Sequence, residues 1–170
     1  MYLAPRLGLV IPAEEDKNAI YKVNALALTA LDGLSNEAHD THHPVSTSLY
    51  YEDQITEAKR KSEDYIANRL PKFLGYFERV LKGEASKGGK WLYGGSLTYA
   101  DLVLYQCLDG VKHAFPNATS RIEKEGKFAK VFELFSAVQE RPKIKAYLAS
   151  ERRQKYSEGI YRYYPELDEE

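Results

Sequence analysis

Four side chains that could hold a metal ion fall within five residues: His39, Asp40, His42 and His43. Imidazole and carboxylate are zinc ligands. The spacing matches no recognised ligand pattern, however, and no further His or Cys stands nearby in the sequence. The sequence therefore assigns no metal, and the group is read as the polar end of a helix. Cys107 is the single cysteine. A thiol reacts as its thiolate, but nothing around Cys107 argues for an activated one, and a lone Cys is also a small buried hydrophobe. Asp32 precedes Gly33, which costs a helix about 1 kcal/mol relative to Ala, so close packing at that point is expected. No separation of Ser, His, Asp and Cys builds a nucleophile and its base. Gly88-Gly89 and Gly94-Gly95 match neither of the glycine patterns that cradle phosphates. No catalytic residue emerges.

The elements that must position these residues are helices. Apolar residues recur at three- and four-residue spacing from Ala13 to His39, through Ile20, Val23, Ala27, Ala30, Leu31, Leu34 and Ala38. Glu14, Glu15 and Asp16 suit the positive end of that helix's dipole, and Pro44 closes it. A second long helix is predicted over 52–81, with a kink at Pro71. Residues 82–96, rich in Gly and Lys, read as a loop from which Trp91, Leu92 and Tyr93 dip back into the core. A third helix runs from Thr98 to Phe115 and stops at Pro116. A fourth covers 127–140, and Pro142 opens a shorter one, since Pro is tolerated in a first turn; Ile144, Tyr147 and Leu148 form its apolar face. Lys59-Arg60-Lys61 and Glu151-Arg152-Arg153 read as solvated charge. No period-two strand pattern appears. The fold class is all-α: a helical bundle with two long antiparallel helices plus three or more shorter ones.

The most specific stretch is Trp91-Leu92-Tyr93-Gly94-Gly95-Ser96-Leu97-Thr98-Tyr99-Ala100-Asp101-Leu102. Thr98 can cap the third helix while Asp101 reaches back to the Thr98 amide, the reciprocal logic of a capping box with Asp in place of Glu or Gln. Leu97 and Leu102 stand where a hydrophobic staple pairs them. This combination resembles the buried capping box and staple of the glutathione transferase C-terminal domain. Leu70-Pro71-Lys72-Phe73 through Phe77-Glu78 is similar to that family's second long helix, and Arg141-Pro142-Lys143-Ile144-Lys145-Ala146-Tyr147-Leu148 to the segment leading into its last regular helix. The resemblance covers nearly the whole chain and is nearest to sigma-like and other Tyr-type members, fungal ones included.

The resemblance carries further expectations. Residues 1–10 look like the end of the family's thioredoxin-like N-terminal domain and the linker, and residues 11–170 like its helical domain. The thiol-activating Tyr, Ser or Cys and most of the glutathione site belong to the former, so this chain by itself is expected to be inactive. Glutathione is then a cosubstrate of a full-length parent, with no covalently bound cofactor. The helical half supplies the wall of an apolar electrophile pocket, for which Ser35, Ala38, His42, Val103 and Cys107 are the candidates. It also supplies an acid that reaches a neighbouring subunit's glutathione, for which Asp32 is the candidate. A homodimer is implied. A transferase-like interaction module, as in translation factors and synthetase complexes, is the alternative.

Composition agrees with a single domain that binds neither nucleic acid nor membrane. The 170 residues carry a net charge of −1, with Lys and Arg spread along the chain. No apolar run approaches the roughly 18 residues of a membrane span. One cysteine forms no internal disulfide, so a reducing, cytoplasmic setting is expected. Fourteen Tyr against six Phe and one Trp point to surfaces where an apolar wall meets water, whether interface, pocket or wet helix face.

Overall fold

The protein is described here by a computed structural model covering residues 2–169. It is all-helical, with no strand among the described residues. The first long helix begins as α1 (Ala19–Ala30), passes through a wide π turn (Leu31–Asn36), and ends as α2 (Glu37–Asp40). It starts six residues later than its periodicity predicts. Asp16 is the reason: its carbonyl accepts the Ala19 N–H at 3.0 Å and its Oδ1 accepts the Asn18 N–H at 2.9 Å. Its other oxygen is held by Tyr93 and Lys22. Glu14 and Glu15 therefore lie in a turn ahead of the helix instead of in its first turn.

The second long helix comprises α3 (Ile55–Asp64), a second π turn (Tyr65–Arg69) and α4 (Leu70–Lys82). The irregularity predicted at Pro71 lies one turn earlier. Proline lacks the donor for a regular turn, and the wide turn absorbs the defect: Leu70 N–H reaches back five residues to the Tyr65 carbonyl, and Pro71 sits in the first turn of α4. The two long helices run antiparallel. Gly33 faces Phe73, whose ring lies 2.3 Å from where a Cβ on Gly33 would stand. Arg69 clasps Glu37 with two bonds of 2.7 and 2.6 Å, and the buried Tyr65 hydroxyl donates to the Leu34 carbonyl at 3.1 Å.

Helix α5 (Tyr99–Ala114) lies at the centre, packed by α1, the first π turn, α6 (Pro116–Lys124) and α7 (Ala129–Gln139). Pro116, read above as a stop, opens α6 instead, at the one helical position where its missing N–H costs nothing. The Asp168 carboxylate accepts the Asn117 and Ala118 N–H groups at 2.7 and 3.0 Å, satisfying donors exposed at that helix's start. In α8 (Pro142–Leu148) Ile144 and Leu148 turn inward, but Tyr147 is 40% exposed. Arg153, read as solvated, is half-buried and pairs with Asp109 of α5 at 2.5 Å.

Candidate functional site

The turn into α5 is built as its sequence requires. Asp101, fully buried, accepts the Thr98 N–H at 2.7 Å, the Thr98 hydroxyl at 2.8 Å and the Leu92 N–H at 2.8 Å. The return bond to the Thr98 side chain completes the capping box. Burial pushes the Asp101 carboxyl above its ordinary range, and the donated bonds pull against that shift. The carboxylate thus ties the incoming loop and the helix start to one atom pair. The N-terminal segment joins the same corner: Tyr99 N–H donates to the Leu9 carbonyl at 2.9 Å, and Ile11 packs over Gly94, where a Cβ would stand 2.5 Å from its side chain. Residues 2–10 contain one short 3-10 turn, Pro5–Leu7, and Val10 is buried in the core. Leu97 and Leu102 are half-buried against the core and share an apolar cavity of about 400 Å³ with Pro142 and Ile144.

The candidate pocket residues divide into groups. Ser35, on the first π turn, and Cys107, on α5, are both buried, and the Tyr161 hydroxyl lies against both. That ring also fills the space above Gly110, 2.3 Å from the position of an added Cβ. Val103 stands one turn before Cys107 and is half-buried. Ala38 is buried one turn beyond Ser35. Desolvation drives the Cys107 thiol up to about 11 and the Tyr161 hydroxyl higher still. At neutral pH both groups are protonated, so neither is a nucleophile.

His42 lies elsewhere. It is buried between the half-buried His39 and His43, the ring centroids 5.0, 5.2 and 4.9 Å apart, and Tyr164 lies 6.2 Å from its ring. Asp32 is exposed on the outer side of the π turn, where it accepts a long bond of 3.4 Å from Asn36.

The segment that dominates this region is the C-terminal tail, to which sequence reasoning assigned no role. Tyr164 stacks on Tyr51 at 3.8 Å, and the Tyr51 hydroxyl donates to Glu166 at 2.9 Å. Tyr156 stacks on His113 at 4.3 Å and donates to Asp109 at 2.7 Å. The tail's concentration of Tyr was the available signal, but nothing local says which helices those rings meet. Gln54 was also missed. It is 1% exposed and ties down the loop before α3, accepting the Val45 N–H at 3.0 Å and donating to the Ser46 carbonyl at 3.1 Å.

Comparison with known proteins bears on this architecture. The family described as "Glutathione S-transferase, C-terminal domain" matches residues 39–151. A glutathione S-transferase of Plasmodium yoelii yoelii is 29% identical over 110 residues, 64% of this chain and 48% of that protein. One from Plasmodium falciparum (isolate 3D7) is 31% identical over 74 residues, 41% of this chain and 35% of that protein. The class-mu 26 kDa isozyme 1 of Fasciola hepatica is 23% identical over 151 residues, covering 89% and 56%. The chain thus spans about half the length, or less, of these curated relatives. The matched residues contain α3 to α8, with the second π turn and the buried box at Thr98–Asp101. On that ground the chain belongs to the glutathione S-transferase family, as a C-terminal domain of that family.

Proposed function

We propose that these helices are the electrophile-pocket and subunit-interface half of an enzyme that conjugates glutathione to small apolar electrophiles. The observation that carries this reading is the buried capping box that opens α5, the helix packed against α1 and the first π turn, in a chain whose residues 39–151 match the transferase C-terminal domain. The placement of Ser35, Cys107 and Tyr161 supports it, since an apolar wall with a few hydroxyls orients an uncharged electrophile. Tyr21 and Leu28 are 72% and 47% exposed on α1, and Leu31 follows them on the same helix. Large apolar side chains in that position support docking against a second copy or a second domain. A reducing compartment, the cytoplasm, suits the single buried thiol.

Conjugation needs a glutathione thiolate. The Cys107 thiol is raised to about 11 and is no thiolate itself, and we assign the group that activates glutathione to the rest of the parent protein. The test is a conjugation assay with glutathione and a generic aryl halide, using the purified 170-residue chain beside a full-length transferase. Negligible turnover by the chain is expected. The gene upstream of Met1 is expected to encode, in frame, a thioredoxin-like segment with Tyr or Ser near its start. Turnover close to the full-length level refutes the division of labour. A long unrelated domain upstream replaces the enzyme reading with that of an assembly module.

A further inference from the structure

We propose that His39, His42 and His43 form a binding site for a divalent transition ion of the zinc type, a site on which the transferase reading does not depend. Each residue offers a ring nitrogen, and these atoms lie within 4.8 Å of one another. Three imidazoles around one tetrahedral ion, with Zn–N of about 2.0–2.1 Å, hold their ring centroids about 5 Å apart. The observed triangle of 5.0, 5.2 and 4.9 Å already has that size. Modest side-chain rotations bring the nitrogens to the separation of about 3.4 Å that such an ion imposes. The chain gathers them for a simple reason. His39 lies in the last turn of α2, and the turn that follows brings in His42 from the buried side and sets His43 beside it.

One observation beyond the spacing points to a ligand. His42 is 1% exposed, and its Nε2 is buried without a hydrogen-bond partner. Buried polar atoms are almost always satisfied, and an orphan in a native fold calls for an unseen partner. The other two rings have polar groups beside their Nδ1 atoms: the Asp40 carboxylate stands 3.6 Å from His39 Nδ1, and Gln54 Nε2 lies 3.4 Å from His43 Nδ1. Neither contact is a short bond, so both rings are free to turn toward an ion, with a second group at hand to orient them. Arg162 faces the same cluster, and Glu158, 3.6 Å from its Nε, offsets that charge. Both line, with His43, a cavity of about 480 Å³. Three nitrogen ligands leave one coordination position for water, and imidazole sets of this kind favour zinc, copper or nickel over magnesium or calcium.

The test uses the untagged 170-residue chain. Calorimetric titration with zinc chloride is expected to give one ion per chain. His39→Gln and His43→Gln should each weaken binding by about tenfold or more, and His113→Gln, on α5, should leave it unchanged. Loading the unmodified chain with Co(II) gives a readout that needs no variant: paramagnetic broadening of the imidazole NMR signals should be confined to His39, His42 and His43. Failure to take up one zinc per folded chain overturns the proposal. So does uptake indifferent to both substitutions, or broadening centred on His113 or on side chains outside this cluster.

Discussion

Replacing Asp101 by Ala removes one side chain and orphans three donors. The Leu92 and Thr98 N–H groups and the Thr98 hydroxyl lie 2.7–2.8 Å from its oxygens, and Asp101 and Leu92 are fully buried. A buried donor stripped of its partner costs about 1–3 kcal/mol. The hydroxyl can rotate, but the two amides cannot, which sets the loss at about 3–5 kcal/mol. A domain has only about 5–15 kcal/mol in total, so Asp101→Ala removes a substantial share of its stability. Asp101→Asn keeps one accepting oxygen and should cost less. Thr98→Ala, which leaves the carboxylate and both amide bonds in place, should cost about 1 kcal/mol. Urea unfolding followed by far-ultraviolet circular dichroism measures each loss. Fluorescence of the only Trp, Trp91, buried beside Leu92, reports the same corner directly. The three variants should rank Ala at 101, then Asn at 101, then Ala at 98. An Asp101→Ala protein within about 1 kcal/mol of the parent would show that water or a rearranged loop replaces the carboxylate, and the reasoning fails.

Other consequences are open to measurement. Cys107, buried and with its thiol raised to about 11, should resist alkylation near neutral pH in the folded protein and react promptly in denaturant. Gly110→Ala drives a methyl into the Tyr161 ring, 2.3 Å away, so it should release the tail, speed that alkylation and expose residues 150–165 to proteases; unchanged rates would count against the packing described. Gly33→Ala gains about 1 kcal/mol of helix propensity but must displace Phe73, and overpacking of about 1–3 kcal/mol should make the variant less stable in urea, not more. The Asp16 carboxyl is held down to about 2, first by the Tyr93 hydroxyl and then by the Asn18 amide. Its folded value lies below the unfolded 3.8, so its contribution to stability is present above 3.8 and lost as pH falls toward 2. A carboxyl NMR titration should find the low midpoint, and Tyr93→Phe should move it up; a midpoint near 3.8 in the unmodified protein would refute the account.

The parts of this molecule legible in the sequence are those whose causes are local. Helical periodicity reveals the long helices, and Thr98 with Asp101 reveals a cap, because both ends of that interaction lie three residues apart. Starts and stops decided by distant partners were less readable. Asp16 delays α1 because Tyr93, far along the chain, holds it. Pro116 opens a helix because Asp168 caps it, and no pattern around Pro116 announces that. The site candidates were read singly. That Ser35 and Cys107 share one tyrosine from the tail, while Asp32 looks outward and His42 belongs to another cluster, depends on tertiary packing that has no period to detect.

Each long helix contains a stretch that winds by five residues where four are usual. One surplus residue turns everything downstream by about 100°. A straight rod shows one stripe to one neighbour; a rod with such a phase slip shows two. Ahead of Leu31 the first helix directs Val23, Ala27 and Ala30 inward, and beyond Asn36 it turns Ala38 inward and carries the chain on to His42 and the corner where the tail arrives. Because the Tyr65 hydroxyl bonds the Leu34 carbonyl, the two slips are pinned to each other. Excising one residue from either would swing its far half out of alignment with the other, so the pair can be shortened or lengthened only together.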